Sequence, residues 1–339
     1  MKTLLMNNSF INGSYNDQDN SIKYTDLQIF RIVVHVMVYI LGITGNGVVI
    51  WFCIFRMEKT VNVVWILNLA ITDFTFTFFL PLRITYLALD NHWLFGNFMC
   101  KLFWLVYYLN LSVSVFQLMV ISVDRYICVY FPVWCQNHRR SRLAVIIAIL
   151  LWFIAIPFNV QQLLIRNIEK DQNKKGCRYS LPDNYKWKAI VNPTFLFFLP
   201  FTIIVLCYVA ITVRIKRRGI VKSSRPFKIF LTIIILFFLC FFPYNLFFVL
   251  QHYGPQQFSK VNANRKQIVK NLMIANSCIN PILYILFGQN FKEKIFVSLH
   301  AVFHKAFIGD EEKEDSKMQK RVEAGDVNSC VVFEADSTG

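Results

Sequence analysis

The stretch Ser122-Val123-Asp124-Arg125-Tyr126 closes an apolar run that begins near Cys100, and it sets an acid beside a base at the end of a greasy helix. Charge is costly in hydrocarbon, so the pair belongs where that helix reaches the cytoplasmic interface. Neighbouring helix positions point about 100° apart. Arg125 can therefore fold back on Asp124 or swing towards the bundle axis and meet another partner, which makes the pair a two-position switch.

The same apolar character extends outward from this point. Of 339 residues, 55% are hydrophobic, 34 are Phe and only 17% are charged, against about 25% charged in soluble domains. A membrane protein is implied. Residues 1–20 are polar and lack the short apolar core of a secretory signal, so the first apolar segment is expected to insert and stay. The net charge of +16 is spread over short loops between apolar runs rather than over one soluble face. Membrane topology accounts for it and nucleic acid does not.

A membrane-crossing helix takes about 20 mostly apolar residues. Such segments run at roughly 28–54, 62–88, 98–131, 142–165, 188–213, 226–252 and 266–288, which predicts an all-α bundle of seven transmembrane helices. The last begins with polar turns around Lys266 and Lys270, but Ile274 to Phe287 is apolar. One set of loops carries Arg56 and Lys59, then His138, Arg139, Arg140 and Arg142, then Arg214, Lys216, Arg217, Arg218, Lys222, Arg225 and Lys228. That bias puts those loops in the cytoplasm and the amino terminus outside, as expected of a multi-pass plasma-membrane protein. Asn7 and Asn12, both in glycosylation acceptor patterns, agree with this; Asn110-Leu111-Ser112 fits the pattern within a span and is discounted. The expected organisation is an extracellular segment over 1–27, the bundle over 28–288, a membrane-surface amphipathic helix over 289–304 and a disordered tail over 305–339. Ser316, Ser329, Ser337 and Thr338 in the tail are open to modification.

Several polar groups fall inside the spans, where each needs a reason. Gly42 and Gly45-Asn46-Gly47 let helices approach closely. Asp73 lies near mid-membrane, and Asn46, Asn110, Ser114, Asn276, Ser277 and Asn280 are oxygen-bearing residues at comparable depth. The cluster can hold a small hard cation such as sodium, or Asp73 can be a hydrogen-bonded acid that only joins helices. Arg83, beyond Pro81, either snorkels outwards or faces an anion. Trp93 in His92-Trp93-Leu94-Phe95-Gly96 reads as an interfacial aromatic. The outer loop Arg166 to Lys188 is rich in base; it is either solvated surface or a rim that steers anionic ligands. Cys53, Cys128, Cys207, Cys240 and Cys278 read as small buried hydrophobes, whereas Cys100 and Cys177 both fall outside, where a disulfide is expected. Pro200, Pro243 and Pro281 bend spans five, six and seven.

No nucleophile elbow, zinc pattern, phosphate loop or paired carboxylate is credibly placed, so the chain does not read as an enzyme. Seven spans without internal duplication argue against a transporter, and no filter loop suggests a channel.

Gly45-Asn46, Leu69-Ala70-Ile71-Thr72-Asp73, Cys100 with Cys177, Asp124-Arg125-Tyr126, Trp152, Pro200, Phe241-Phe242-Pro243 and Asn280-Pro281-Ile282-Leu283-Tyr284 together resemble the rhodopsin-like G-protein-coupled receptors across residues 28–300. Lys59-Thr60-Val61-Asn62, His92-Trp93-Leu94-Phe95-Gly96, Pro132-Val133-Trp134-Cys135-Gln136-Asn137-His138-Arg139 and Ile274-Ala275-Asn276-Ser277-Cys278 resemble the chemoattractant branch, near chemerin and formyl-peptide receptors.

The resemblance implies a receptor for a chemoattractant peptide or protein, serving chemotaxis and inflammatory signalling through an inhibitory-type heterotrimeric G protein. Arrestin and a receptor kinase are implied partners at the tail. The switch residues implied are Asp124, Arg125, Tyr126, Tyr208, Phe237, Phe241, Pro243, Asn280, Pro281 and Tyr284. A sodium site is implied at Asp73, Asn110, Ser114, Asn276 and Asn280, with no other cofactor. Arg83, Trp93, Tyr108, Arg178, Lys188, Asn192 and Tyr244 are the implied ligand residues. Phe241 stands where the family usually has Trp, and Ser223 where some relatives have an acid that clasps Arg125, so basal activity is expected. Tyr108, Lys188 and Asn192 depart from the acid and two arginines of formyl-peptide receptors, which argues against formyl-peptide specificity. Two other readings are a receptor for a carboxylate-bearing lipid mediator and a non-signalling decoy.

Overall fold

The computed structural model describes residues 17–171, 174–179, 194–217, 225–253 and 263–287. Helix α1 spans Asp17–Phe55, α2 Val61–Ala88, α3 Gly96–Tyr130, α4 Pro132–His138, α5 Ser141–Asn159 and α6 Gln162–Ile165. Strands β1 (Arg166–Asp171) and β2 (Lys174–Tyr179) follow, then a π-helical turn Thr194–Phe198, α7 (Leu199–Arg217), α8 (Arg225–Tyr253) and α9 (Ala263–Phe287). Long helices thus stand at all seven expected segments. Among the described residues, Asp26–Phe55, Val61–Ala88, Gly96–Tyr130, Ser141–Ile165 and Leu196–Arg217 are long and apolar enough to cross a membrane, and Leu231–Phe247 is a shorter apolar stretch of α8. Asn7, Asn12, Lys188, Asn192, Ser223, the segment 289–304 and the tail 305–339 lie outside the described residues. The chain divides into two compact units, 1–283 and 284–339, and Tyr284 opens the second.

Local chemistry sets the ends of these helices. Thr60 caps α2 by accepting the Val63 N–H at 3.4 Å, which satisfies one of the open donors of the first turn. Past its other end, Asp90 and Asn91 take positive φ of 50° and 62°, a conformation that short polar side chains tolerate. Prolines interrupt α2, α5, α8 and α9 at Pro81, Pro157, Pro243 and Pro281.

Helix α3 is the axis of the first unit. It packs on α2, α5 and α7, and α2 lies in turn on α1. Val113, Phe116, Leu151 and Ala155 form an apolar cluster between α3 and α5. Small residues set the closest approaches: a Cβ at Gly42 would stand 2.5 Å from Thr77 Cγ2, and one at Gly45 would stand 2.9 Å from the Pro281 ring. Outward faces are apolar as well, with Val33, Met37 and Ile40 on α1 and Val145, Ile149 and Phe153 on α5 all exposed. Such faces belong in lipid, which is the only solvent that does not penalise them.

The basic loop follows α6. Its first part is an antiparallel hairpin pairing Arg166 with Tyr179 and Ile168 with Cys177. Cys177 is bonded to Cys100 at the top of α3, as expected. Trp93 N–H donates to the Lys175 carbonyl at 2.7 Å and Lys175 N–H to His92 Nδ1 at 3.2 Å, so the hairpin is also stitched to the α2–α3 turn.

Candidate functional site

A column of polar side chains runs along α3 from one end of the bundle to the other. At one end stands Asp124. The sequence reading pairs this acid with Arg125, yet the structure gives it mainly to Arg139, just beyond α4. Arg139 Nε donates to Asp124 Oδ1 at 2.9 Å and Nη2 donates to Oδ2 at 3.0 Å, while Arg125 Nη2 stands 3.6 Å from Oδ2. Asn62 Oδ1, in the first turn of α2, accepts from Nη2 of both arginines, at 2.7 Å from Arg139. One carboxylate and one amide oxygen therefore hold two guanidinium groups. A forked guanidinium matches a carboxylate in two parallel bonds, so Arg139 takes the better geometry and leaves Arg125 the weaker contact.

A further neighbour of Arg125 comes from α7. Tyr208 is buried beside Arg125 and Ser122. Tyr126 points elsewhere: it stacks on Tyr130 at 4.5 Å, and the Tyr130 hydroxyl donates to the Ala210 carbonyl at 3.1 Å. Tyr130 thus fastens α3 to α7, and Tyr126 packs on it. Cys128 corrects the sequence reading, because it is bonded to Cys135 of α4 with a Cα separation of 5.1 Å and is not a lone buried hydrophobe.

Midway along α3, Asp73 is fully buried. It accepts from Asn110 Nδ2 at 2.9 Å on one oxygen and from Asn280 Nδ2 at 2.8 Å on the other. Asn46 donates to the carbonyls of Gly42 and Ser277, both at 2.9 Å, while Ser114 Oγ is buried with no hydrogen-bond partner among the described residues. Asn276 is buried in the same region. A second node sits one turn inward. Asn68 donates to Gln117 Oε1 at 2.5 Å and accepts from Trp152 Nε1 at 3.0 Å, and Gln117 reaches the Trp65 carbonyl. On α8, Phe237 and Phe241 stack at 4.0 Å, and Asn245 Nδ2 donates to the Phe241 carbonyl at 3.0 Å beside Pro243.

The opposite end is aromatic and cationic. The guanidinium of Arg83 lies 4.8 Å from the Tyr86 ring centre and 5.9 Å from that of Trp104, and Arg166 covers the same Trp104 at 3.9 Å. The sequence left the loop that Arg166 opens as solvated surface or a charged rim, but Arg166 lies on Trp104 and is 8% exposed. Tyr108 packs on Trp104 at 6.1 Å and shares a hydrogen bond with Tyr244 of α8. Arg178, on β2 opposite Asn167, is exposed. Trp93 departs from expectation: it is 2% exposed, packs on Tyr86, Phe95 and Phe103, and gives its indole N–H to the Gly96 carbonyl at 2.9 Å. It is a brace beneath the mouth and is not open to a ligand.

Residues 45–284 match the family model for 7 transmembrane receptor (rhodopsin family). The chain belongs to that family. Chemerin-like receptor 1 of Homo sapiens is 41% identical over 286 residues, covering 78% of this chain and 77% of that receptor. N-formyl peptide receptor 3 of Pongo pygmaeus is 35% identical over 304 residues, covering 84% and 87%. The C3a anaphylatoxin chemotactic receptor of Danio rerio is 33% identical over 317 residues, covering 93% and 86%. This rhodopsin-family receptor belongs to the chemoattractant branch. It is a multi-pass membrane protein and not an enzyme, with an extracellular ligand and a G protein as the partners of its class.

Proposed function

We propose that this receptor takes a peptide or protein chemoattractant at its Trp104 end and passes the signal to an inhibitory-type heterotrimeric G protein at its Arg125 end. The observation that carries the reading is the division of one helix into two unlike ends. The outer end offers Arg83 and Arg166 on the face of Trp104, a setting suited to a terminal carboxylate lying against aromatic walls. The inner end offers Arg125, which shares Asn62 with Arg139 and stands 3.6 Å from its acid. In this reading Arg125 moves towards Tyr208 and a docking G protein. Ligand binding shifts this balance by the difference in its affinity for the two arrangements. Arg178, Lys188, Asn192, Tyr108 and Tyr244 complete the ligand region in this reading. The amino terminus is outside, glycosylated at Asn7 and Asn12, and the tail receives the kinase and arrestin.

The Asp73 cluster suits a sodium ion, because the carboxylate has acceptor positions beyond its two amide bonds and the buried Ser114 hydroxyl lacks a partner. Asp73, Asn110, Ser114, Asn276 and Asn280 would hold it. Bound there, the ion would neutralise the acid and favour the resting arrangement.

A panel of chemoattractant peptides and lipid acids on cells expressing the chain tests the reading, with falling cyclic AMP as the signal. A peptide response that disappears in Arg83→Ala and on blocking the inhibitory G protein supports it. A response confined to lipid acids moves the ligand to that class. Silence to every ligand at normal surface expression overturns the signalling role and leaves a decoy.

A further inference from the structure

We propose that Cys128 and Cys135 form a reversible dithiol–disulfide pair that sets the hold on Arg125 in response to hydroperoxide. The inference rests on the cytoplasmic placement of the α3–α4 turn in the proposed function. Cytosolic thiols are kept reduced, so a disulfide there is transient and serves sensing or catalysis rather than permanent bracing.

The geometry joins this pair directly to the switch. Cys128 lies one turn beyond Asp124 on α3, on the same helical face. Its sulfur is bonded to Cys135 in the middle of α4, a helix of seven residues opened by Pro132. The Cys135 carbonyl accepts the Arg139 N–H at 3.0 Å, and the Arg139 side chain returns to Asp124 in two bonds of 2.9 and 3.0 Å. These links close a ring: Asp124, along α3 to Cys128, across the disulfide to Cys135, and through Arg139 back to Asp124. The disulfide is its only covalent cross-link. With it in place, α4 holds Arg139 on the acid and Arg125 keeps the weaker 3.6 Å contact. Without it, α4 has too few hydrogen bonds to be stable by itself. Arg139 then leaves, and Asp124 pairs with Arg125.

The chemistry balances with one oxidant. Arg139, Arg140 and Arg142 follow Cys135 closely in the chain and bring positive charge to this turn, which favours a thiolate. That thiolate attacks one oxygen of the hydroperoxide and breaks the O–O bond, giving a sulfenic acid and, with the displaced proton, an alcohol or water. The second thiol attacks the sulfenic sulfur and expels water. Two thiols and one hydroperoxide thus give one disulfide, and cellular dithiols reverse the reaction by exchange. Oxidation therefore raises agonist-free signalling and reduction lowers it.

The test uses full-length receptor in cells and in purified nanodiscs. After rapid alkylation with N-ethylmaleimide, the tryptic peptide 126–139 should carry two adducts in resting cells and none after a pulse of hydrogen peroxide, and the adducts should return on recovery. Agonist-free nucleotide exchange should be about fivefold higher for oxidised than for reduced receptor, the effect of giving Arg125 back its full ion pair. Cys128→Ser and Cys135→Ser should both sit at the reduced level and ignore both reagents. Hydrogen exchange over 132–139 on the unmutated protein reads the same event without a variant or a G protein, and it should speed up on reduction. Full alkylation at every peroxide dose, equal hydrogen exchange in both forms, or a redox response that survives in the serine variants overturns the proposal. If an impermeant maleimide labels this peptide in intact reduced cells, the inside placement is wrong and the reversible pair falls with it. Absent nucleotide exchange with normal peptide oxidation and altered hydrogen exchange counts against G-protein coupling alone and leaves the redox pair standing.

Discussion

Replacing Arg139 by Ala should lower agonist-free signalling. The result runs against the simple expectation that removing an ion pair from a resting receptor loosens it. Arg139 competes with Arg125 for Asp124 and Asn62, taking both carboxylate oxygens at 2.9 and 3.0 Å while Arg125 stands at 3.6 Å. With the competitor gone, Arg125 closes on the acid. With an effective dielectric of about 20, unit charges at 3.6 Å attract by about 4.6 kcal/mol and at 2.9 Å by about 5.7 kcal/mol. The difference of about 1.1 kcal/mol falls to about 1 kcal/mol once side-chain ordering is charged against it. Both partners are largely shielded, at 12% and 16% side-chain exposure, so solvent screening removes little more. A shift of about 1 kcal/mol in the resting state cuts a small active population by about fivefold. The assay is agonist-free nucleotide exchange in membranes, normalised to surface receptor. Asp124→Asn should raise it, and Arg139→Ala in that background should change nothing, because the contested charge is gone. A rise in Arg139→Ala, or the same fall with and without Asp124, would refute the competition.

Three further outcomes follow from the packing and the buried polar nodes. Gly45→Ala should lower the melting temperature in detergent, because its Cβ would stand 2.9 Å from a proline ring that has no rotamer to escape into; the cost is of order 1–3 kcal/mol, and an unchanged transition would show that α1 and α9 yield. Asn68→Leu strips partners from both Gln117 and Trp152 and should cost about 1 kcal/mol, at about 0.6 for each interhelical bond in a membrane. A matching double substitution with Gln117→Leu should recover part of that loss, and failure to recover would argue that the node contributes nothing. Replacing sodium by choline should raise agonist-free exchange in the unmutated receptor and leave Asp73→Asn unaffected; equal sodium sensitivity in both would remove the ion from that cluster.

Much of the candidate site was readable before any coordinates. Asp73, Asn110 and Asn280 stood out as polar groups in hydrocarbon, and the structure brings them into hydrogen-bond contact. Arg83 stood out as a charge close to the mouth. Trp93 was misread, because an aromatic in a short turn looks interfacial until the hairpin is laid over it. Arg139 was missed for a related reason: His138-Arg139-Arg140 reads as a topology signal, and nothing local distinguishes the arginine that turns back to Asp124 from those that face solvent.

The sequence by itself determined the seven helices. In lipid each backbone N–H and C=O must be satisfied within its own segment, so an apolar run of sufficient length has one answer, and that answer is local. Only the tertiary structure decided which guanidinium holds Asp124, that Cys128 reaches Cys135 and that Arg166 lies on Trp104. Arg139 and Asp124 lie on either side of α4, and Arg166 and Trp104 are far apart along the chain, so their contacts depend on the approach of separate elements. Cys128 and Cys135 are near in sequence, but their bond depends on the angle at which α4 leaves α3. No local pattern encodes either.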